Sequence, residues 1–208
     1  MPDQPTAEYH STATASKATG QQYGTAKKAT LVVVKMRNMA FDETANIFDF
    51  VLQDIVAKKR QKHSVVTASW NGRGVTDPKY PNLHDNRIRI QVGKLLKNDV
   101  IVVVSAGNYA KFTDPGTGDL RKTVDTYPPV FETADHPLIA VSATDFTGTP
   151  ADFAQGGDHV SIWAPGVKIT ALNKSSDTPL ISDGTSYCKS CSFSLLRSLR
   201  PSPPQLAL

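Results

Sequence analysis

Three polar residues stand in contexts that suit nucleophilic acyl transfer. Ser186 lies in "DGTSY", His10 begins "HSTATASKATG", and Asn108 ends the run "VIVVVSAGN". Acyl transfer needs a nucleophile, a base within hydrogen-bond reach and a donor facing the developing oxyanion. A hydroxyl, an imidazole and a carboxamide supply that set. Each residue alone is more typical of a helix cap, a surface position or a turn, so the prediction rests on the three together.

The elements that must position these residues predict an α/β fold. Continuous apolar runs rich in Val are typical of strands buried on both faces of a parallel sheet, and here they alternate with patterns of helical period. Strands are predicted at 29–36, 63–70, 99–108, 137–144 and 159–166, and helices at 42–60 and 86–99. The inward residues are predicted to be Ile47, Phe50, Val51 and Ile55 in one helix, and Ile88, Val92, Leu95 and Leu96 in the other.

Polar clusters follow the predicted strands at the positions where an open parallel sheet binds its ligands. "SWNG" (69–72) follows the second strand, "SAGN" (105–108) follows the third, and "SDGTS" (182–186) comes later. Because the carboxyl ends of parallel strands share one edge, a binding or catalytic site is expected there.

Composition excludes several classes of function. The 208 residues carry a net charge of +4, with 39% hydrophobic and 20% charged residues, which is typical of one globular domain. The basic residues are scattered, so nucleic-acid binding is not expected. The apolar runs are too short to span a membrane. The first twenty residues lack the apolar core of a signal peptide, and localisation is left open.

An ordered series of blocks from residue 9 to 187 resembles the subtilisin-like serine proteases, the subtilase or peptidase S8 family. The blocks are "HSTATASKATGQQYGTAKKATLVVVKM", "VVTASWNG", "VIVVVSAGN", "LIAVSATDFTGTPADFAQGGDHVSIWAPGVKITA" and "DGTSY". The order His, Asn, Ser along the chain is also that of the family. The resemblance implies a three-layer parallel-sheet fold and serine endopeptidase activity on polypeptides.

The same resemblance implies roles for individual residues. His10 would be the general base and Ser186 the nucleophile, while the Asn108 side chain and the Ser186 backbone N–H would stabilise the oxyanion. The residues that would line the substrate subsites are Ser69, Trp70, Asn71, Gly72, Ser105, Ala106 and Gly107. A monomer without a cofactor is expected. Structural calcium is common in the family, but no loop here offers a convincing carboxylate set. The parent protein is expected to be exported with a prosegment.

The chain departs from the family pattern at its N-terminal end. The family places its catalytic Asp well before the His, at the end of a strand. Here nine residues precede His10, and Asp3 has neither a strand before it nor a Gly after it. No triad Asp is therefore assigned, and the first strand of the sheet is expected to be missing. Ser11 stands where the family usually has Gly, which either crowds the loop or is accommodated.

A second departure follows Tyr187. The family continues Gly-Thr-Ser-x-Ala-x-Pro into a buried helix, whereas this chain reads "CKSCSFSLLRSLRPSPPQLAL". Cys-Lys-Ser-Cys-Ser-Phe-Ser can be encoded TGC AAG TCC TGC AGT TTC AGC, which read one nucleotide later gives Ala-Ser-Pro-Ala-Val-Ser. Residues 1–187 are therefore predicted to be a partial catalytic domain. Residues 188–208 are predicted to be an aberrant tail from a frameshift or splice event, and the helix after the nucleophile is expected to be missing.

Other functions remain open at this point. With a strand, a helix and the acid absent, the chain is expected to be weakly active or inactive, and it could be a non-catalytic peptide-binding remnant or a pseudogene product. A genuinely divergent tail is the alternative to the frameshift. A nucleotide binder is disfavoured because no Gly-x-Gly-x-x-Gly motif or P-loop follows the first strand. The C-x-x-C spacing of Cys188 and Cys191 gives weak support for redox or metal chemistry, since no second pair exists.

Overall fold

The elements of the fold follow one another as predicted for an alternating α/β chain. The structure, a computed structural model, describes residues 7–36, 40–73 and 86–191. The helices are Ala7–Thr19 (α1), Phe41–Ala57 (α2), Arg87–Lys97 (α3) and Thr185–Cys191 (α4), with a short 3-10 helix at Pro129–Phe131. The strands are Val65–Ala68 (β1), Gly72–Arg73 (β2), Ile101–Ser105 (β3), Thr126–Tyr127 (β4), Ile139–Thr144 (β5), Ile162–Pro165 (β6), Ile169–Ala171 (β7) and Leu180–Ser182 (β8).

A parallel sheet in the order β1-β3-β5-β6 forms the centre of the fold. Ala68 lies opposite Val104, and Ser105 lies opposite Val141. Four of the five predicted strands are therefore confirmed. Because all four run in the same direction, the segments that follow β1 and β3 emerge at the same edge of the sheet. Two separate two-stranded antiparallel sheets are formed by β2 with β4 and by β7 with β8.

The two faces of the sheet bury different sets of side chains. Val102 and Val104 of β3 belong to the cluster that contains the apolar residues of α2 and α3. Val103, which points the other way along the same strand, packs in a second cluster with Val141 and with Cys188 of α4. Successive side chains of a strand alternate between faces, so helices cover both sides. The predicted three-layer α/β architecture is confirmed.

The predicted helices are present, but the prediction that Phe50 faces inward is wrong. In α3, Ile88, Val92 and Leu95 are fully buried as predicted and Leu96 is partly buried. In α2, Ile55 is buried and Ile47 and Val51 are partly buried, but Phe50 is 61% exposed. The buried positions of α2 include Ala45, Phe48 and Ile55, spaced three and seven residues apart. Phe50 lies two positions from Phe48, and two helical steps carry a side chain to the opposite side.

The apolar run at 29–36 does not form the strand that its composition predicts. Residues 30–36 have no strand assignment, and Leu31 to Val34 are 37–74% exposed. An extended segment becomes a strand only when a neighbour pairs with its backbone groups. Within the described residues no strand lies beside this run, and β1 pairs with β3 alone. The prediction of a strand at 29–36 is therefore wrong.

Helix α4 extends past the expected break after Tyr187. It begins at Thr185 and continues to Cys191, and Cys188 is fully buried in the core. The expectation that no helix follows the nucleophile is corrected for residues 188–191, because the side chain of Cys188 fills an apolar site. Residues 192–208 lie outside the described residues, and the origin of the tail stays a prediction. None of the helices in the described ranges is long and apolar enough to cross a membrane.

Candidate active site

The segments that follow β1 and β3 are joined directly at the carboxyl edge of the sheet. The Asn71 amide Nδ2 donates a hydrogen bond to the backbone oxygen of Ser105 at 2.9 Å. The Ser105 hydroxyl in turn donates to Asn71 Oδ1 at 3.3 Å. Two of the predicted substrate-lining stretches, 69–72 and 105–107, therefore lie side by side, which is the arrangement that the parallel sheet predicts.

The first of these stretches rests on a stack of aromatic rings. The Trp70 indole packs edge-on against Tyr127, with ring centroids 6.0 Å apart and planes at 79°. Tyr127 stacks in turn on Phe131 at 6.2 Å, and both of these residues are buried. Gly72 pairs with Tyr127 between β2 and β4. These buried rings hold residues 69–72 in place, and a substrate-binding surface needs such rigid support.

The second stretch is held by a residue that the sequence did not single out, Gln155. Its backbone N–H donates to Gly107 O at 3.0 Å, and its carboxamide approaches Gly107 too closely for a side chain there. Gly107 has φ +122°, a conformation that only glycine adopts readily. Gln155 Nε2 lies within 2.9 Å of acceptors on Arg121, Thr123 and Asp125. The feature of the sequence that could have indicated Gln155 is its position as a polar residue within "DFAQGGD".

Ser186 is the second residue of α4 and is 7% exposed. The loop before it is fixed by backbone hydrogen bonds. Gly184 N–H donates to Gly166 O at 2.8 Å, and Gly166 N–H donates to Thr144 O at 2.8 Å. Gly184 has φ +155°. The loop before Ser186 is thus tied through the Ala-Pro-Gly turn to the carboxyl end of β5, the edge at which the candidate substrate-binding stretches also lie.

Asn108 is connected to this loop through Thr185. Its Oδ1 accepts a hydrogen bond from the Thr185 backbone N–H at 3.0 Å and another from the Thr185 hydroxyl at 2.8 Å. A backbone N–H can only donate, so the carboxamide oxygen must face Thr185. The Nδ2 group is at the other end of the carboxamide, 3.4 Å from the position that a Cβ on Gly184 would take. The structure thereby places a carboxamide N–H donor next to the residue that precedes Ser186.

His10 lies in the first turns of α1, which packs against α4. Its ring lies 5.9 Å from the ring of Tyr187, centroid to centroid, with the planes at 59°. Ala13 shares a buried cluster with Tyr187, and the Ser16 hydroxyl accepts a hydrogen bond from Leu172 N–H at 3.0 Å. These contacts fix α1 beside the nucleophile helix. Ser11 is exposed on α1, so the side chain that replaces Gly is accommodated.

The surroundings of His10 favour its neutral form. Burial lowers the pKa of His10, and the nearby charge of Lys189 lowers this pKa further. In the part of the chain that the structure describes, His10 forms no hydrogen bond with Ser186 and none with a carboxylate. Asp3 lies outside the described residues. A neutral imidazole can accept a proton, but none of the described carboxylates is placed to stabilise the imidazolium that would result.

Lys189 is a buried residue near His10 that the sequence did not indicate. It is 2% exposed, and its Nζ donates to the Thr67 hydroxyl at 2.6 Å. Burial lowers the pKa of Lys189 to about 7. The only signal in the sequence was its position three residues after Ser186, within a segment assigned to the aberrant tail.

The C-x-x-C spacing gains no support from the surroundings of Cys188. Its thiol is fully buried, within 3.0 Å of Thr185 O and 3.4 Å of Ser142 O. Among the described residues no three His, Cys, Asp or Glu side chains form a group that could hold a metal ion. One thiol beside two backbone carbonyl oxygens matches neither the Cys and His ligands of a zinc site nor the carboxylate ligands of a calcium site.

Comparisons with known proteins agree with this geometry. A profile described as the subtilase family matches residues 2–194. A "Subtilisin-like protease 2" from Trichophyton verrucosum is 28% identical over 172 residues, covering 79% of this chain and 34% of that protein. "Alkaline protease 1" from Aspergillus flavus is 28% identical over 182 residues, covering 85% of this chain and 39% of that protein. The chain thus spans about a third of the length of these relatives.

Solved structures show the same fold. A cold-adapted subtilisin-like serine proteinase superposes with a TM-score of 0.65 at 20% identity. The superposed region covers 91% of this chain and 62% of the proteinase chain. The PatG macrocyclase domain superposes with a TM-score of 0.70 at 18% identity. The superposed region covers 90% of this chain and 50% of the macrocyclase chain. The family profile spans all of the described residues. The chain belongs to the subtilase family.

Proposed function

We propose that this chain carries the serine endopeptidase site of a longer subtilase, with Ser186 as nucleophile, His10 as general base and Asn108 as oxyanion donor. The observation that carries the proposal is the pair of hydrogen bonds from Thr185 to Asn108 Oδ1. They couple the loop that carries Ser186 to the Asn108 carboxamide and fix which end of this group carries the N–H donors. His10 stands on a helix packed against the same α4.

In the proposed reaction, the Ser186 hydroxyl attacks the carbonyl carbon of the scissile peptide while its proton passes to neutral His10. The carbonyl oxygen becomes an oxyanion, which accepts hydrogen bonds from Asn108 Nδ2 and the Ser186 backbone N–H. His10 then gives its proton to the leaving amine, and an acyl-enzyme remains. Water, activated by His10, hydrolyses this ester and frees Ser186. Within the described residues no carboxylate lies on His10, so both proton transfers are expected to be slow.

Polypeptides are the proposed substrates. The 69–72 and 105–107 stretches are joined by the Asn71 and Ser105 hydrogen bonds and present two adjacent backbone segments at the sheet edge. An extended peptide lying across them would meet backbone donors and acceptors of both segments. The proposal includes a monomer that needs no cofactor and binds no nucleic acid. The resemblance also favours export of the parent protein, which an assay of culture medium against lysate would check.

Labelling with a fluorophosphonate probe tests the nucleophile. The folded wild-type chain should be labelled, and Ser186→Ala should abolish labelling because the probe reacts with an activated serine hydroxyl. Ser175→Ala, which changes an exposed serine, is the matched control and should label like wild type. A folded wild-type protein that shows no labelling would contradict the catalytic proposal.

A second candidate function is peptide binding without catalysis. It is favoured by one observation, that within the described ranges no carboxylate lies on His10 and no hydrogen bond joins His10 to Ser186. A binding remnant would retain peptide affinity in both the wild-type chain and Ser186→Ala, with no covalent labelling of either. Fluorescence anisotropy with a labelled denatured-protein digest, run beside the probe experiment, separates the two functions.

A further inference from the structure

Ser186 and Lys189 are placed on one face of α4 by their spacing. Side chains three positions apart in a helix are neighbours, with their Cβ atoms about 5–6 Å apart. Both residues are buried, at 7% and 2% exposure. The four methylene groups of a lysine stem can span that separation. The spacing Ser-x-x-Lys on a helix is one that other acyl-transfer enzymes use for a nucleophile and its amine partner.

No acidic group neutralises the Lys189 amine in the described part of the chain. Its hydrogen bond goes to the neutral Thr67 hydroxyl. The strands β1, β3, β5 and β6 carry no ionisable side chain. The ionisable groups that face Lys189 are His10 from α1 and Cys188 from its own helix. An amine that is buried without a counter-charge prefers its neutral form, and a neutral amine that donates to Thr67 still has a lone pair.

We propose that Lys189 is a catalytic base for Ser186, so that this chain holds a Ser-x-x-Lys pair in addition to its histidine. The proposal rests on the proposed function, since it uses the same nucleophile. In this step the lone pair of Lys189 Nζ accepts the hydroxyl proton while Ser186 Oγ bonds to the carbonyl carbon. The resulting ammonium returns the proton to the leaving amine when the tetrahedral intermediate collapses. Proton and charge therefore balance within the pair, with no further reactant.

Position on the helix favours Lys189 as the base. Among the described residues neither His10 nor Lys189 forms a hydrogen bond with Ser186, and no carboxylate there lies on His10. Lys189, however, lies on the same helix as Ser186, one turn away. The lowered pKa of Lys189, about 7, leaves a large fraction of the amine neutral near neutral pH. An ordinary lysine, with a pKa near 10.4, would offer almost none.

The test measures the rate of fluorophosphonate labelling of Ser186 as a function of pH in a His10→Ala background. With histidine removed, the rate should still rise with pH through a midpoint near 7. Adding Lys189→Met should lower the rate at about pH 8 by at least tenfold and remove the rise. Met fits a buried site, and circular dichroism checks the fold of each variant.

Lys189→Arg in the same background separates proton transfer from charge. Arginine keeps the positive charge but does not give up a proton, so its rate should match that of Lys189→Met. A rate restored by arginine, or a His10→Ala protein that labels no faster than Ser186→Ala, would overturn the role of Lys189. If wild type labels and Ser186→Ala does not, the proposed function stands whatever the lysine variants show. If folded wild type does not label, both proposals fail.

Discussion

The carboxamide oxygen of Asn108 accepts two hydrogen bonds from Thr185, one from its backbone N–H at 3.0 Å and one from its hydroxyl at 2.8 Å. These bonds fix the orientation of the amide group before any substrate arrives. Preorganised donors cost no reorganisation when charge develops, which is why such a contact can lower a reaction barrier. The residue before the proposed nucleophile thus determines where the proposed oxyanion donor points.

Replacing Asn108 should therefore reduce the rate of acylation. Asn108→Leu keeps the side-chain size but removes the donor, and a loss of about 10²–10³ in turnover is expected, a magnitude measured on subtilisin itself rather than on this chain. Thr185→Val removes one of the two orienting bonds and should cause a smaller loss. The measurement is the rate of burst release from an activated ester. Equal rates in Asn108→Leu and wild type would contradict the oxyanion role.

Gln155 is expected to stabilise the loop at 121–125. Its Nε2 group lies within hydrogen-bond distance of three acceptors there, and the residue is fully buried. Gln155→Leu leaves those acceptors without their donor, so the free energy of unfolding should fall by about 1–3 kcal/mol. Urea denaturation measures the change. Lys122→Ala, an exposed change on the same loop, should stay within about 0.5 kcal/mol.

His136 should make the protein less stable in mild acid. Burial, with a smaller effect of the Arg89 charge, lowers the pKa of His136 to about 4 from 6.5. Between those values the unfolded chain binds the extra proton, so the free energy of unfolding should fall as pH falls, by at most about 1.4 kcal/mol per pH unit from this group. His136→Phe should remove that part of the slope. His63→Phe, at an exposed site, should leave it unchanged.

Lys189 should affect stability on the alkaline side. Its pKa is lowered to about 7 from 10.5, so between these values the unfolded chain binds more protons and stability should rise with pH. Lys189→Met should raise the free energy of unfolding at pH 7 by about 2–4 kcal/mol and flatten the curve between about pH 7 and 10. Lys122→Met is the exposed control. An unchanged slope in Lys189→Met would show that the lysine is not buried in solution.

The exposed valines of residues 31–34 should promote self-association. Val33 is 74% exposed and Val32 is 54% exposed in an extended segment without a strand partner among the described residues. Unpaired apolar segments and sheet edges are sites of aggregation. Val33→Lys should reduce association, measured by light scattering at increasing protein concentration. Its free energy of unfolding should change by less than about 0.5 kcal/mol. Val103→Lys, at a buried site, should instead unfold the chain.

The sequence alone determined most elements of the fold and supplied the candidate site residues. Continuous apolar runs predicted β1, β3, β5 and β6, and helical periodicity predicted α2 and α3, because burial on two faces or on one stripe leaves a local pattern. The order of motifs pointed to His10, Asn108 and Ser186. The predictions of strands and helices succeed because each rests on residues close together in the chain, and the roles of the three site residues stay predictions.

The tertiary structure decided the features that depend on contacts between residues far apart in the chain. The run at 29–36 has the composition of a strand, but pairing requires a neighbour, and the described chain supplies none. Phe50 and Phe48 have equal hydrophobicity, and only the packing of α2 on α3 selects the one that is buried. Gln155 and Lys189 matter because of contacts with residues 30 or more positions away, at Asp125 and Thr67. Such contacts leave no local pattern, so the fold alone reveals the buried lysine beside the nucleophile.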